Sequence, residues 1–180
     1  FSGDTILDAS RWGNPTLLRA WFRTAGALKR QLGAQRLYWF PIVKGHRTFR
    51  ILPNFFCRYV PGSEDDSAPE LIRIRDAIAT ARYGNFFSSE TGVVDFGRSL
   101  GHLRPEWSGV ETAASRNRYA AQFLAANPQY FRGVELACLA ELAVENLKRY
   151  AATCFAEGMG SAYPCEEVRA RDFYVGPASC

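Results

Sequence analysis

Residues 133–158 read "GVELACLAELAVENLKRYAATCFAEG" and decide how the C-terminal half of the chain is interpreted. Their apolar positions recur every three or four residues, the spacing of one helix face, at Leu136, Leu139, Ala143, Leu147, Tyr150 and Cys154. Further apolar residues widen this face: Val134, Cys138 and Leu142. We predict one helix from after Asn127-Pro128 to about Glu157, roughly 45 Å long at 1.5 Å per residue.

Two more helices are predicted upstream of this segment. One covers roughly Val110–Ala126, and because the Asn-Pro step breaks it, we expect the two C-terminal helices to form an antiparallel pair. The other runs from about Pro69 to Tyr83, with Ser67 as its cap, and Gly84 ends it. Its inner face consists of four apolar residues at helical spacing: Leu71, Ile74, Ile78 and Ala81.

Residues 14–33, "NPTLLRAWFRTAGALKRQLG", predict an N-terminal helix with both ends marked. Asn14 can cap its start, and Gly33 suits its exit. One face of the helix is apolar: Leu18, Trp21, Phe22, Ala25, Leu28 and Leu32. Its arginines lie largely on other faces: Arg19, Arg23 and Arg30. Such a basic amphipathic helix either packs on the core or docks on an anionic surface or partner.

Strand signals are concentrated in residues 36–52. The segments "RLYWFPIV" and "HRTFRIL" are rich in aromatic and β-branched residues and are separated by Lys44-Gly45, which predicts a short hairpin. Pro41 predicts that its strand lies at a sheet edge. A further short strand is expected at "GVVDF", residues 92–96, within an irregular segment that is rich in Gly and Ser.

The fold class that these elements predict is mostly α, of the α+β type. We expect a helical domain with a long C-terminal antiparallel helix pair and a small β-hairpin near residues 36–52. The chain would be organised as a basic N-terminal arm (1–63), a helical core (64–157) and an irregular C-terminal tail (158–180). With 47% hydrophobic residues, the chain can bury a core and is not of disordered composition.

Charge is distributed unevenly along the chain. No Asp or Glu occurs from Ser10 to Ser63, an interval that holds ten cations, whereas twelve cations accompany sixteen acids from Glu64 to Cys180. The N-terminal part therefore favours anionic surroundings, such as phosphate, an acidic protein or an anionic lipid surface. No run approaches the roughly 18 apolar residues of a membrane-spanning helix.

Chemistry-bearing motifs are weak. Cys57 and His46 share one segment and raise a thiol-enzyme hypothesis, although a small buried side chain is the more common role of such a cysteine. "GRSLG" around Ser99 matches the sequence pattern of a hydrolase nucleophile elbow. However, Gly101 and Pro105 disfavour the helix that must follow the elbow, and the last histidine of the sequence, His102, comes too soon after Ser99 to be the catalytic base. We therefore expect no catalytic residues, no cofactor-binding residues and no metal ligands.

We expect a non-catalytic accessory subunit of a large multiprotein assembly. The chain begins at Phe1, which we interpret as the result of leader removal, and the basic amphipathic helix favours the mitochondrion, peripheral to the inner membrane, on a respiratory-chain or ATP-synthase complex. Its partners would be other protein subunits, with anionic lipid as a further surface. The residues expected to bind them are basic or aromatic: Arg19, Arg23, Arg30, Lys44, Arg47, Arg50, Arg58, Trp21, Phe55 and Phe56.

Two alternatives stay open. Arginines interleaved with aromatic residues over an acid-free interval are also typical of an RNA-contacting surface, so an RNA-associated protein such as an organellar ribosomal component is the first alternative. The second is a thiol-dependent enzyme that uses Cys57 and His46. Among the cysteines, the pairs Cys154–Cys165 and Cys165–Cys180 are geometrically possible disulfides.

Overall fold

A computed structural model describes residues 15–62, 68–97 and 116–160 of the chain. These residues form helices and small antiparallel sheets, so the predicted α+β class is confirmed. The chain divides into two compact units, one from residues 1–34 and 149–180 and the other from residues 35–148. The division into an arm, a core and a tail stays a prediction.

The unit formed by the two chain ends contains α1, Thr16–Leu32, and α6, Arg149–Gly158. The predicted N-terminal helix is therefore confirmed, although Asn14 lies outside the described residues. Gly33 ends α1 with a φ of +58°, a left-handed conformation that glycine adopts without a side-chain penalty. Its N–H donates a hydrogen bond to the carbonyl oxygen of Arg30 at 3.4 Å.

Glycines allow α1 and α6 to pack backbone to backbone. A Cβ atom at Gly26 would collide with the carbonyl oxygen of Phe155, and one at Gly158 would collide with the carbonyl oxygen of Arg23. Beside these contacts, the Glu157 carboxylate pairs with Arg19 at 3.2 Å and with Arg23 at 3.6 Å. The closeness of the helices thus depends on two positions that lack a side chain.

The larger unit, residues 35–148, contains the strands. They are β1 (Tyr38–Trp39), β2 (Ile42–Val43), β3 (Phe87–Ser88), β4 (Val93–Val94), β5 (Glu135–Ala137) and β6 (Ala140–Glu141). All pairings are antiparallel: β1 pairs with β6, and the other four form a sheet in the order β2-β5-β4-β3. β2 is thus at an edge of its sheet, but Pro41 lies between β1 and β2, so the single strand expected from "RLYWFPIV" is divided in two. The strand expected near "GVVDF" is present as β4.

Helices of the larger unit pack around these strands. They are α2 (His46–Phe49), α3 (Ile51–Phe55), α4 (Ala68–Tyr83) and α5 (Arg118–Ala126), with 3₁₀ turns at Gly84–Phe86, Tyr130–Arg132 and Val144–Asn146. The helix predicted from Pro69 to Tyr83 is confirmed as α4, although Ser67 is outside the described residues. Only the end of the predicted helix Val110–Ala126 is described, where Asn117 caps α5 by accepting from the N–H groups of Tyr119 and Ala120.

The predicted long C-terminal helix, and with it the long antiparallel helix pair, is wrong. Only its last part is helical, as α6, while residues 129–148 form two strands and two 3₁₀ turns. The physical reason is that β5 is paired on both sides, so every residue from Val134 to Ala140 is buried. A fully buried strand is an unbroken apolar run, which periodicity alone does not distinguish from a buried helix.

The predicted hairpin over residues 36–52 is also wrong. β1 and β2 pair with β6 and β5 instead of with a strand made by "HRTFRIL", and those residues belong to α2 and α3. Phe49, Leu52 and Phe55 are all buried at three-residue spacing. That spacing places them on one helix face, and it outweighs the β-propensity of the individual residues.

An aromatic cluster forms much of the core of the larger unit. The Phe123 ring lies 5.8 Å from that of Phe49 and 5.9 Å from that of Tyr130, measured between centroids. Phe49 also meets Tyr59 edge to face. Edge-to-face and tilted arrangements at these distances are the favourable ones for aromatic pairs. The cluster therefore fixes α2 against α5 and positions the chain that follows α3.

Candidate functional site

α1 exposes a line of apolar side chains. Leu17 is 37% exposed, Leu28 48% and Leu32 37%, and the half-buried Trp21 lies between them on the same side of the helix. At 100° per residue, these four positions fall within a narrow sector beside the buried face of Phe22. From position 17 to position 32 the line rises about 22 Å. Exposed large apolar side chains that are aligned on one side of a helix make this surface, the apolar stripe of α1, a candidate interaction site.

The arginines of α1 lie on the opposite side from this stripe. Arg19 and Arg23 form ion pairs with Glu157, and the hydrogen bond to that carboxylate raises the pKa of Arg19. Arg30 is exposed. Two of the three α1 arginines that were expected to bind an anionic surface or partner therefore already have an anionic partner within the chain. The exposed leucines of the stripe are therefore the more prominent surface feature of α1.

A groove of about 690 Å³ opens in the larger unit. It lies between the end of α3 with the chain that follows it, the first turns of α5, and Lys148. The described residues that line it are Pro53, Phe56, Cys57, Tyr59, Gly62, Arg118, Tyr119, Ala121, Gln122, Ala125 and Lys148. Two of these are cations and none is acidic.

Neighbouring side chains and carbonyl groups hold the polar residues of the groove in place. Arg118 donates from Nη2 to the Tyr119 hydroxyl at 2.6 Å, and its Cζ lies 4.7 Å from the centroid of that ring. Lys148 donates from Nζ to the carbonyl oxygen of Pro53 at 2.5 Å. The Tyr59 hydroxyl donates to Gln122 Oε1 at 3.4 Å, and burial is the main cause that raises the Tyr59 pKa. Both cations are thus oriented by neutral groups.

The wall of the groove is fixed by Asn146, which is 1% exposed. Its Oδ1 accepts a hydrogen bond from the Arg58 N–H at 2.8 Å, and its Nδ2 donates to the carbonyl oxygens of Arg58 at 3.0 Å and Glu141 at 2.9 Å. Its own carbonyl oxygen accepts from the Cys57 N–H at 2.9 Å. These bonds clamp residues 57 and 58, so the backbone of the groove wall has one defined path.

The remaining predicted binding residues are dispersed. Phe55 and Phe56 are buried, and Phe56 stacks on Trp39. Lys44 pairs with the buried Glu135 carboxylate at 3.4 Å. Arg47 and Arg58 are exposed, whereas Arg50 is half-buried and its Nε has no hydrogen-bond partner within the described part of the chain. Of the ten predicted residues, Phe56 lines the groove and Arg58 adjoins it.

Cys57 and His46 lie in different environments in the structure. The Cys57 thiol is exposed, contrary to the expectation of a small buried side chain, while His46 is buried at the start of α2. Among the described residues no hydrogen bond joins the two side chains. Burial, followed by the positive charges of Arg47 and Arg50, lowers the pKa of His46. Ser99 and His102 lie outside the described residues.

The groove's cations were missed because they come from segments that are distant in sequence. Arg118 begins α5 and Lys148 follows the last 3₁₀ turn, and both were interpreted as positions within long helices. Residues 118 and 148 line one groove because the chain that follows β6 returns to α3, where the Lys148 N–H donates to the Phe55 carbonyl oxygen at 2.8 Å. A cation at the first position of a helix, with a tyrosine beside it, was the one local signal.

Further comparisons add no assignment. Within residues 15–62, 68–97 and 116–160, no group of three or more His, Cys, Asp or Glu side chains could hold a metal ion. None of the described helices combines the length and the apolar character that crossing a membrane requires. No protein-family model, curated protein or solved structure matches the chain.

Proposed function

We propose that this protein is a non-catalytic accessory subunit of a large multiprotein assembly and that it docks through the apolar stripe of α1. The observation that carries the proposal is the alignment of Leu17, Leu28 and Leu32, each more than a third exposed, with Trp21 on one side of the helix. A partner helix that lays its own apolar face along about 22 Å of this stripe would remove it from water.

A protein partner suits the stripe better than a lipid surface does. A helix that lies on an anionic membrane needs its cations close to the headgroups while its apolar face is buried. In α1 the arginines are on the opposite side from the stripe, and Arg19 and Arg23 are paired with Glu157. We propose the mitochondrion as the compartment, with a peripheral position on an inner-membrane complex of the respiratory chain or ATP synthase, and its support is the basic, acid-free composition of residues 10–63.

The test is the migration of the native protein under non-denaturing conditions. The wild type is expected to co-migrate with a large complex, and Leu28→Glu is expected to release it, because a charge in a desolvated apolar contact costs several kcal/mol. Ala20→Glu is the matched control, since it adds the same charge to an exposed position of α1 outside the stripe. A wild type that migrates alone near 20 kDa, or a Leu28→Glu variant that stays in the complex, would overturn the proposal.

Simple measurements distinguish the two alternative functions from this one. An RNA-associated protein that contacts several phosphates should lose its partner steeply between about 50 and 200 mM salt, which an apolar protein contact should not do. A thiol enzyme requires a Cys57 thiol that is alkylated faster than an ordinary exposed cysteine. Ordinary or slow reactivity of Cys57 would exclude it.

A further inference from the structure

We infer that the groove of the larger unit binds a phosphate ester of about nucleotide size. This inference does not depend on docking through α1, because it rests on residues 53–62, 118–125 and 148 alone. Its starting point is that the groove gathers positive charge without any carboxylate among its described lining residues.

The two cations of the groove have neutral hydrogen-bond partners, as Lys29 and Arg132 do elsewhere among the described residues. Ion pairs with carboxylates hold Arg19, Arg23, Arg36, Lys44 and Arg75. Arg118 and Lys148 instead have neutral oxygen partners, the Tyr119 hydroxyl and the Pro53 carbonyl. Among the described residues, no carboxylate lies within ion-pair distance of either one. Within the described part of the chain, no carboxylate balances their combined charge of about two, and we infer that a ligand does so.

That charge selects the class of anion. A phosphate monoester carries about −1.5 to −2 near pH 7, which matches two cations, whereas a single carboxylate carries −1. Arginine binds phosphate through a planar fork of N–H groups, and a guanidinium that is already held against an aromatic ring loses less freedom when it does so. The contact of Arg118 with Tyr119 supplies this orientation.

The hydrogen-bonding groups of the groove are also arranged for an acceptor-rich ligand. The Tyr119 hydroxyl accepts from Arg118, so its own proton remains to be donated. The Gln122 amide oxygen accepts from Tyr59, which leaves the N–H₂ group of Gln122 as the donor toward the groove. With Arg118 and Lys148, the lining of the groove thus contains four donor groups, and a phosphate has three terminal oxygens that can accept from them.

The rest of the lining indicates an ester rather than a free ion. Pro53, Phe56, Ala121 and Ala125 give the groove an apolar side, and about 690 Å³ is far more than a phosphate ion fills. Small-molecule sites of roughly 300–1,000 Å³ commonly combine such apolar walls with a few oriented polar groups. We therefore expect the phosphate to lie at Arg118 and Lys148 and the organic part to lie along the apolar side.

Calorimetric titration of the full-length chain tests the inference. Adenosine 5′-monophosphate and glucose 6-phosphate are the ester probes, with adenosine, inorganic phosphate and succinate as comparisons at the same ionic strength. We expect at least one ester to bind at least about tenfold more tightly than all three comparisons. Arg118→Gln and Lys148→Gln should each weaken it about tenfold, because each removes one charge-assisted contact. Arg73→Gln, which removes an exposed cation of α4, should leave the affinity unchanged.

A second readout uses Cys57, an exposed thiol in the groove lining. The bound ester should slow alkylation of the Cys57 peptide in the wild type, and it should protect less in Lys148→Gln at the same ester concentration. This readout also confirms that a variant is folded, because a variant that has lost its fold would expose the buried thiol of Cys138 as well.

Several outcomes would overturn the inference. They are an absence of ester binding up to about 10 mM, equal binding of adenosine, inorganic phosphate or succinate, and ester binding that the groove variants leave intact. The last probe in the titration is a 12-nucleotide RNA without a terminal phosphate. If it binds more tightly than the esters and displaces them, the groove is an RNA surface and not a small-molecule site.

Discussion

Asn146 shows at the scale of one residue how the groove is maintained. Its side chain satisfies three backbone groups, and each of them would be left without that partner in Asn146→Ala. Since an unsatisfied buried polar group costs about 1–3 kcal/mol, we expect Asn146→Ala to lower the free energy of unfolding by about 2–4 kcal/mol. Urea denaturation followed by circular dichroism measures this change.

The neighbouring Glu145 provides the control for that measurement. It belongs to the same 3₁₀ turn but is exposed, so Glu145→Ala should change the free energy of unfolding by no more than about 0.5 kcal/mol. Equal effects of the two substitutions would show that the turn, and not the buried amide, stabilises this part of the unit.

His46 gives a pH dependence whose sign follows from its burial. Burial and the charges of Arg47 and Arg50 lower its pKa in the folded chain below the usual 6.5, so the unfolded chain binds the proton first as the pH falls. Stability is therefore lost as the pH falls below about 6.5. We expect the free energy of unfolding to fall more from pH 8 to pH 5.5 in the wild type than in His46→Asn, as measured by urea denaturation at both pH values. Parallel curves would contradict this prediction.

Most residues that line the candidate groove could not be predicted from the sequence. The cation-rich, acid-free interval does contain Phe56 and Arg58, which line or adjoin the groove, and the exposed Cys57. Arg118 and Lys148 carry the charge argument, yet apart from the tyrosine that follows Arg118, their local sequence resembles that of surface residues of a helix. A site made from three separated segments becomes visible only when the chain connections between them are known.

At the scale of elements, Gly26 and Gly158 set the contact between α1 and α6. Gly→Ala in a helix normally gains about 1 kcal/mol of helix propensity, but here the new methyl group would collide with a carbonyl oxygen of the facing helix. Because overpacking against backbone costs about 1–3 kcal/mol, we expect each substitution to lower stability by about 1–2 kcal/mol. Thermal unfolding of Gly26→Ala and Gly158→Ala measures it.

Gln31→Ala is the matched control on α1, since it also ends in alanine but lies at an exposed position. It should leave the melting temperature unchanged or raise it slightly. If Gly26→Ala behaved like Gln31→Ala, the two helices would be farther apart than described.

Helices whose ends carry capping or terminating residues could be predicted from the sequence. The strand β5, which depends on the strands that pair with it, could not. α1 and α4 combine an apolar period of 3.6 residues with a glycine at the exit, Gly33 and Gly84, so both were placed to within about two residues. β5 is a strand because β2 and β4 pair with it on either side, and neither partner is a neighbour in sequence. Its local pattern, "ELACLAEL", fits a helix equally well.

At the scale of the whole molecule, the three described cysteines predict a pattern of chemical reactivity. Cys57 is exposed, whereas Cys138 and Cys154 are buried free thiols, and burial raises the pKa of both. Under native conditions we expect iodoacetamide to alkylate Cys57 at least about 100-fold faster than the other two, which must wait for local or global opening. Peptide mass spectrometry over time measures the three rates.

The two buried thiols also report on different compact units. Cys138 belongs to the unit of residues 35–148, and Cys154 belongs to the unit formed by the chain ends. In increasing urea, the alkylation of each thiol reports the opening of its own unit. A Cys138 or Cys154 thiol that reacts as fast as Cys57 without denaturant would contradict the burial on which this prediction depends.

The pairing of α1 with α6 has a consequence for the moment of synthesis. α1 leaves the ribosome early, but the helix that covers it ends at Gly158, some 126 residues later. At about 5–20 residues per second, α1 waits roughly 6–25 s for its partner. During that interval Phe22 and Ala25, which are buried in the folded chain, are without cover from α6, so a chaperone has a time window in which it can reach α1 first.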